Sequence, residues 1–169
     1  MCLSLHSDIC ELGSLPKRWG YVQGMAIIDD LVASPGLYLG VDRLAGSDHS
    51  GIARIVVTLL PGGSGVALDY EVLDVASPDQ GRSHVEHTII ARTHEGPSVM
   101  VIGHTHAESI SVLRETEPGV FELGDEPAPF PMKVVVSVPE PGRIRHSWWY
   151  GRPGDVAIER DVSDVRLQP

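Results

Sequence analysis

The sequence predicts an all-β fold: an antiparallel up-and-down (meander) barrel of about 8–10 strands with a short N-terminal helix. Three observations carry that prediction. From Leu37 onward, short segments rich in Val, Ile, Thr, Tyr and Trp follow one another to the C-terminus. Turn sequences built on Gly and Pro join them, and no helix-length pattern separates them, which excludes a parallel βαβ sheet.

The N-terminal stretch comes first. Residues 1–24 show no clear periodicity and are set aside as an extension, leaving 25–169 as one barrel domain. Met25 opens the better-patterned part and is a candidate start. Over 25–33, Ile27, Ile28, Leu31 and Val32 recur at helical spacing, and Pro35-Gly36 ends the run.

Ten strand candidates follow: "LYLGVDRL", "GIARIVVTLL", "SGVALDYEVLDV", "HVEHTIIART", "SVMVIGHTH", "ESISVLRE", "VFEL", "MKVVVSV", "RIRHSWWY" and "VAIERDVSDVRL". Val66, Leu68, Tyr70 and Val72 alternate with Asp69 and Glu71, the period of a strand buried on one face. "EPGV" at 117–120 and "EPGR" at 140–143 place Pro and Gly at the two central positions of a type II turn. A meander of this kind must manage its edges, and closure removes them altogether. A β-sandwich is the rival arrangement. A closed barrel of this size has room inside for side chains or one small ligand.

Composition bounds the partners. The chain has 169 residues, enough for one domain with a real core. Thirteen basic against 23 acidic residues give a net charge of −10, with no Lys/Arg cluster, so neither nucleic acid nor an anionic membrane is an expected partner. Apolar runs such as "VVV" at 134–136 are too short to span a bilayer. The N-terminus lacks the layout of a signal peptide, and a cytoplasmic location is expected. Cys2 and Cys10 suffice for neither a disulfide framework nor a zinc site.

Five of the eight histidines fall within residues 84–106, "HVEHTIIARTHEGPSVMVIGHTH", which reads as one hairpin. Two registers compete. In the preferred one the loop spans His94 to Pro97, keeping Pro97 out of the ladder, and His87 opposes His104 with His106 diagonal on the same face. In the other, with Gly96 in a bulge, every pair slips by one: Glu86 opposes His104 and His84 opposes His106. Either register puts imidazoles about 5–8 Å apart, suited to a divalent metal or to proton transfer. The bland alternative is an exposed cluster that does nothing.

"RIRHSWWYGRPGD" at 143–155 is the aromatic centre of the chain. Ile144, His146, Trp148 and Tyr150 share one face and Arg143, Arg145, Ser147 and Trp149 the other, so one tryptophan must point outward. Trp148 and Tyr70 offer apolar area with one polar handle, as core plugs or as a grip on a ligand. "GSDHSG" at 46–51 reads as a turn, because neighbours in sequence do not form a Ser-His-Asp triad.

Two family resemblances bear on function. "GHTH" at 103–106 resembles the His-x-His of the cupins, but Ile110 and Ser111 stand where that motif continues with Glu, and the later Gly…His motif has no match. The run of hairpins from Gly51 to Leu167 resembles the calycin group of lipocalins, fatty-acid-binding proteins and nitrobindin-type barrels. That resemblance is architectural. It implies an interior cavity for a small hydrophobic ligand, or for haem in nitrobindins. "LAGSDHSGIARI" lacks the tryptophan of the nitrobindin signature, and "DVAIERDVSDVRLQP" has no histidine, so haem would need His87, His104 or His146.

The expected function is therefore binding of a small hydrophobic molecule in a barrel lined by His87, His104, His106, His146, Trp148 and Tyr70. The alternative is a metal-dependent, cupin-like enzyme whose ion sits on His87, His104 and His106. A third reading is an assembly or interaction module with an empty core. Catalysis and assembly into a homo-oligomer are left open.

Overall fold

The computed structural model describes residues 27–46, 50–75, 82–94, 98–104, 110–123 and 131–169. Residues 1–24, Met25, His49, the tip of the histidine hairpin at 95–97 and His106 lie outside the described residues; Arg82, Ser83 and His104 are described by their backbone alone.

A six-residue helix, α1 (Ile27–Val32), leads into ten strands: β1 (Gly36–Leu44), β2 (Ser50–Leu59), β3 (Gly65–Asp74), β4 (Arg82–Ala91), β5 (Val99–His104), β6 (Ser111–Glu117), β7 (Val120–Leu123), β8 (Met132–Glu140), β9 (Arg143–Tyr150) and β10 (Ile158–Leu167). Each strand pairs antiparallel with its neighbours in sequence, and β1 pairs with β10, for example Tyr38 with Leu167, so the sheet closes on itself. All ten expected strands are found, and closure rather than a sandwich disposes of the edges.

The turns work as their sequences require. Gly119 and Gly142 hold φ of +75° and +76°, which the third position of a type II turn demands. A short 3₁₀ turn (Pro61–Gly63) joins β2 to β3, again with positive φ at its glycines.

Helix α1 closes one end of the barrel. Ile27, Ile28 and Leu31 are buried in the same core as the strand residues. The acceptor for the start of the helix is Glu115 of β6, whose Oε1 takes the Gly119 N–H at 2.9 Å and faces the Ile27 N–H at 3.5 Å. Arg92, just past β4, pairs with Asp29 at 2.6 Å, and the Tyr38 hydroxyl donates to the Ser34 carbonyl. Near this end the interior is a dry core of Val57, Leu68, Ile90, Met100, Leu113 and Phe121, all almost wholly excluded from solvent. Full burial of each such side chain contributes roughly 1.5–3 kcal/mol. Apart from Glu115 and Ser98, the polar interior residues gather in the other half.

Candidate functional site

The hairpin register decides which residues face inward. Across β4 and β5, Glu86 pairs with His104, Thr88 with Ile102 and Ile90 with Met100. This is the slipped register, and it corrects the preferred expectation: His87 stands opposite Gly103, not His104. The physical reason is the hydrophobic set. The observed pairing brings Ile90, Met100 and Ile102 together into the core, whereas the other would have set Ile90 on the face opposite Met100 and Ile102. His87 consequently lies on the outer wall, 76% exposed, where its Nδ1 meets Asp69 of β3 at 2.6 Å. His87 thus does not line the interior, where it was expected beside His104 and His106.

Inside the barrel, in the half away from α1, a polar cluster forms around Glu86. Strand alternation brings Tyr70 from β3, His84, Glu86 and Thr88 from β4, and His146 and Trp148 from β9 to the inner face. The Glu86 carboxylate is completely buried. Its Oε2 accepts the Trp148 indole N–H at 3.0 Å and lies 3.4 Å from His84 Nε2, while its Oε1 accepts the Thr88 hydroxyl. Burial opposes its charge, but His146, His84 and Thr88 together hold the carboxyl below the usual range, so it is ionised at neutral pH.

His146 is the unusual member. It is 1% exposed, and neither ring nitrogen has a hydrogen-bond partner. The nearest charge to it is Glu86, with Nε2 to Oε1 at 3.7 Å. Burial pushes its pKa down against the pull of Glu86, which leaves the imidazole neutral. The Tyr70 ring packs against it at 4.9 Å between centroids, and the Trp148 ring stands nearly edge-on at 6.5 Å. A buried polar group without a partner costs about 1–3 kcal/mol, so two such nitrogens in one ring mark a place where a partner belongs.

A second polar group adjoins the first through Tyr70. The Tyr70 hydroxyl donates to Asp42 Oδ1 on β1 at 3.1 Å and lies 2.8 Å from Ser163 Oγ on β10, and Ser163 also donates to Asp42 at 2.6 Å. Burial first, then the hydrogen bond and charge of Asp42, push the Asp161 carboxyl up to about 8. Its Oδ1 is buried without a hydrogen-bond partner. Burial raises the Tyr70 phenol as well, keeping it a neutral donor.

Of the expected lining, then, Tyr70, His146 and Trp148 converge in the interior; His87 does not; His104 holds the register position opposite Glu86; and His106 lies outside the described residues. Tyr150 shares the inner parity at the rim, and Trp149 faces outward, its ring covered by Lys133 at 4.6 Å and its N–H donating to Ser147. Asp42, Asp161 and Ser163 were missed. The available signal was their alternation with Tyr38 and Gly40 on β1 and with Val165 on β10, which puts polar side chains on a core-facing parity.

Among the described residues no three His, Cys, Asp or Glu side chains converge closely enough to hold an ion. Of the histidines considered for haem, His87 lies on the outer wall, His146 is buried against the Tyr70 ring and beside Glu86, and the side chain of His104 lies outside the described residues.

No protein-family model matches this sequence, and no curated protein matches it. Solved structures match its fold. Rv2717c from M. tuberculosis superposes with a TM-score of 0.60 at 13% identity, covering 85% of this chain and 98% of its own. The S-type phycobiliprotein lyase CPES from Guillardia theta superposes with a TM-score of 0.54 at 8% identity, covering 86% of this chain and 94% of its own. At these identities the likeness is one of fold: a closed antiparallel β-barrel shared with both proteins.

Proposed function

We propose that this chain binds a small molecule inside the barrel, in the polar half between Glu86, His146 and the Asp42–Asp161 pair. The observation that carries the reading is His146, a buried imidazole with both nitrogens unpaired and set against an ionised carboxylate. In the half near α1 most inner positions hold apolar side chains, and the one buried carboxylate among them, Glu115, is tied to the Gly119 N–H. Residual exposure among the inner residues supports an entry on this side: Asp42, Val72, His84 and Trp148 keep some, whereas Ile90, Met100 and Phe121 keep none. A binding site of mixed apolar wall and few polar groups is the usual build of a small-molecule pocket. The phycobiliprotein lyase offers a similar barrel put to work as a lyase, which is consistent with a use of the fold beyond scaffolding. The apolar part of the ligand would rest on Leu123, Met132 and Trp148 at the rim, in keeping with the hydrophobic ligand of calycin-type barrels.

A titration with Nile red, a neutral environment-sensitive dye, tests the reading. The account expects saturable, blue-shifted emission that is lost in Val72→Trp, which fills the interior, and kept in Ile89→Ser on the outer wall. No saturable uptake by the parent protein, or equal uptake by both variants, refutes it.

A further inference from the structure

We propose that the ligand of this site carries a protonated amine, bound by the interior carboxyl groups of Glu86 and Asp161 beside the His146 imidazole. The inference rests on the binding reading above and adds the chemical class.

Three observations lead to it. The first is the sign of the interior. Glu86, Asp42 and Asp161 come inward from β4, β1 and β10, yet among the described residues no Lys or Arg is buried. Every described arginine and lysine stands at least partly in solvent, and several, such as Arg54 with Glu71 and Arg143 with Asp164, answer acids on the outer wall. Among the described residues the polar interior therefore holds three carboxyl groups and no Lys or Arg, and the ionised Glu86 gives it a negative sign.

The second is the kind of hydrogen bond left unmade. Asp161 Oδ1 lacks a donor, and a neutral His146 offers one nitrogen lone pair without a donor. The two belong to neighbouring strands: Asp161 pairs with Trp148 and Ser163 with His146, which sets Asp161 and His146 diagonally on the inner face. A group with several N–H donors answers both; an ammonium has three. A carboxylate or phosphate would meet Glu86 with the same sign of charge.

The third is the aromatic lining. Tyr70 and Trp148 flank His146, and an ammonium over an aromatic face is attracted to it. A divalent metal would share the positive charge, but no three ligating side chains converge among the described residues.

The experiment is competition against bound Nile red on the full chain at neutral pH, with three probes of one skeleton: 2-phenylethylamine, 2-phenylethanol and 3-phenylpropanoate. The amine is expected to displace the dye at a concentration about tenfold or more below the alcohol, with the carboxylate weakest. In Glu86→Gln, which removes the carboxylate that is ionised at neutral pH, the advantage of amine over alcohol should shrink several-fold while dye uptake persists. Should that variant fail to fold, the order of the three probes on the parent protein decides alone. Dye uptake with the alcohol or carboxylate equal to or better than the amine overturns the inference and leaves the binding reading standing. Displacement by zinc or magnesium chloride but not by the amine overturns it in favour of a metal. Absence of dye uptake overturns both readings.

Discussion

Replacing Asp161 with Asn should make the protein more stable at pH 8 and leave it nearly unchanged at pH 5. The Asp161 carboxyl is pushed from an ordinary 3.8 up to about 8, by burial first and then by its hydrogen bond to Asp42 and that group's charge. Between these two values the folded protein holds a proton that the unfolded chain has released. Stability from this group is thus fully present below about pH 4 and is lost as pH rises through 8. The slope for one proton is about 1.4 kcal/mol per pH unit. Over the whole window that would sum to about 6 kcal/mol, and partial solvent access at Asp161 reduces it to roughly 2–3 kcal/mol. An Asn amide can donate to Asp42 as the protonated acid does, so the variant keeps the hydrogen bond and loses the titration. His146 acts with the opposite sign: its pKa is lowered by burial, so stability from it is lost as pH falls below its ordinary 6.5. In the parent protein the two effects oppose each other below pH 6.5, and above it Asp161 acts alone. Urea unfolding at pH 5, 6.5 and 8 measures this. A gap between variant and parent that stays constant with pH, or that favours the parent at pH 8, refutes the reasoning.

Three further outcomes follow from the geometry. Trp148→Phe keeps an aromatic ring but removes the N–H donor to the buried Glu86 carboxylate and part of the indole's packing, and should cost about 1.5–3 kcal/mol or more in urea unfolding. Gly119→Ala combines a φ of +75° with a Cβ placed 2.1 Å from the Val136 carbonyl oxygen, so it should destabilise by more than the roughly 1–3 kcal/mol of left-handed strain alone, read as a fall in Tm. His87→Ala removes only an exposed pair with Asp69; stability should change by less than about 1 kcal/mol and Nile red uptake not at all.

The fold was legible because the strands announce themselves twice, by alternation and by turn chemistry. Tyr70 with its apolar neighbours, and Pro-Gly at 118–119 and 141–142, each left one arrangement open. The aromatic strand was equally clear, with Trp148 inside and Trp149 outside as its parity required. The histidine hairpin was not, because one residue of register exchanges both faces and the loop sequence fits two lengths. Pro97 argued for one register, and the burial of Ile90, Met100 and Ile102 decided for the other. The acidic half of the site was hidden for a different reason. Asp42 and Asp161 lie more than a hundred positions apart in sequence and become neighbours only when β1 closes on β10. Local pattern carries no information about that closure.

The central claim is that a ligand enters beside Trp148 and not on the outer wall. Adjacent tryptophans on opposite faces of one strand make this directly measurable by ¹H–¹⁵N spectra of the indole N–H groups during titration with Nile red. The account predicts that the Trp148 resonance, whose N–H donates to Glu86, shifts saturably while that of Trp149, held by Ser147, stays in place. A shift at Trp149 with Trp148 unmoved would contradict it.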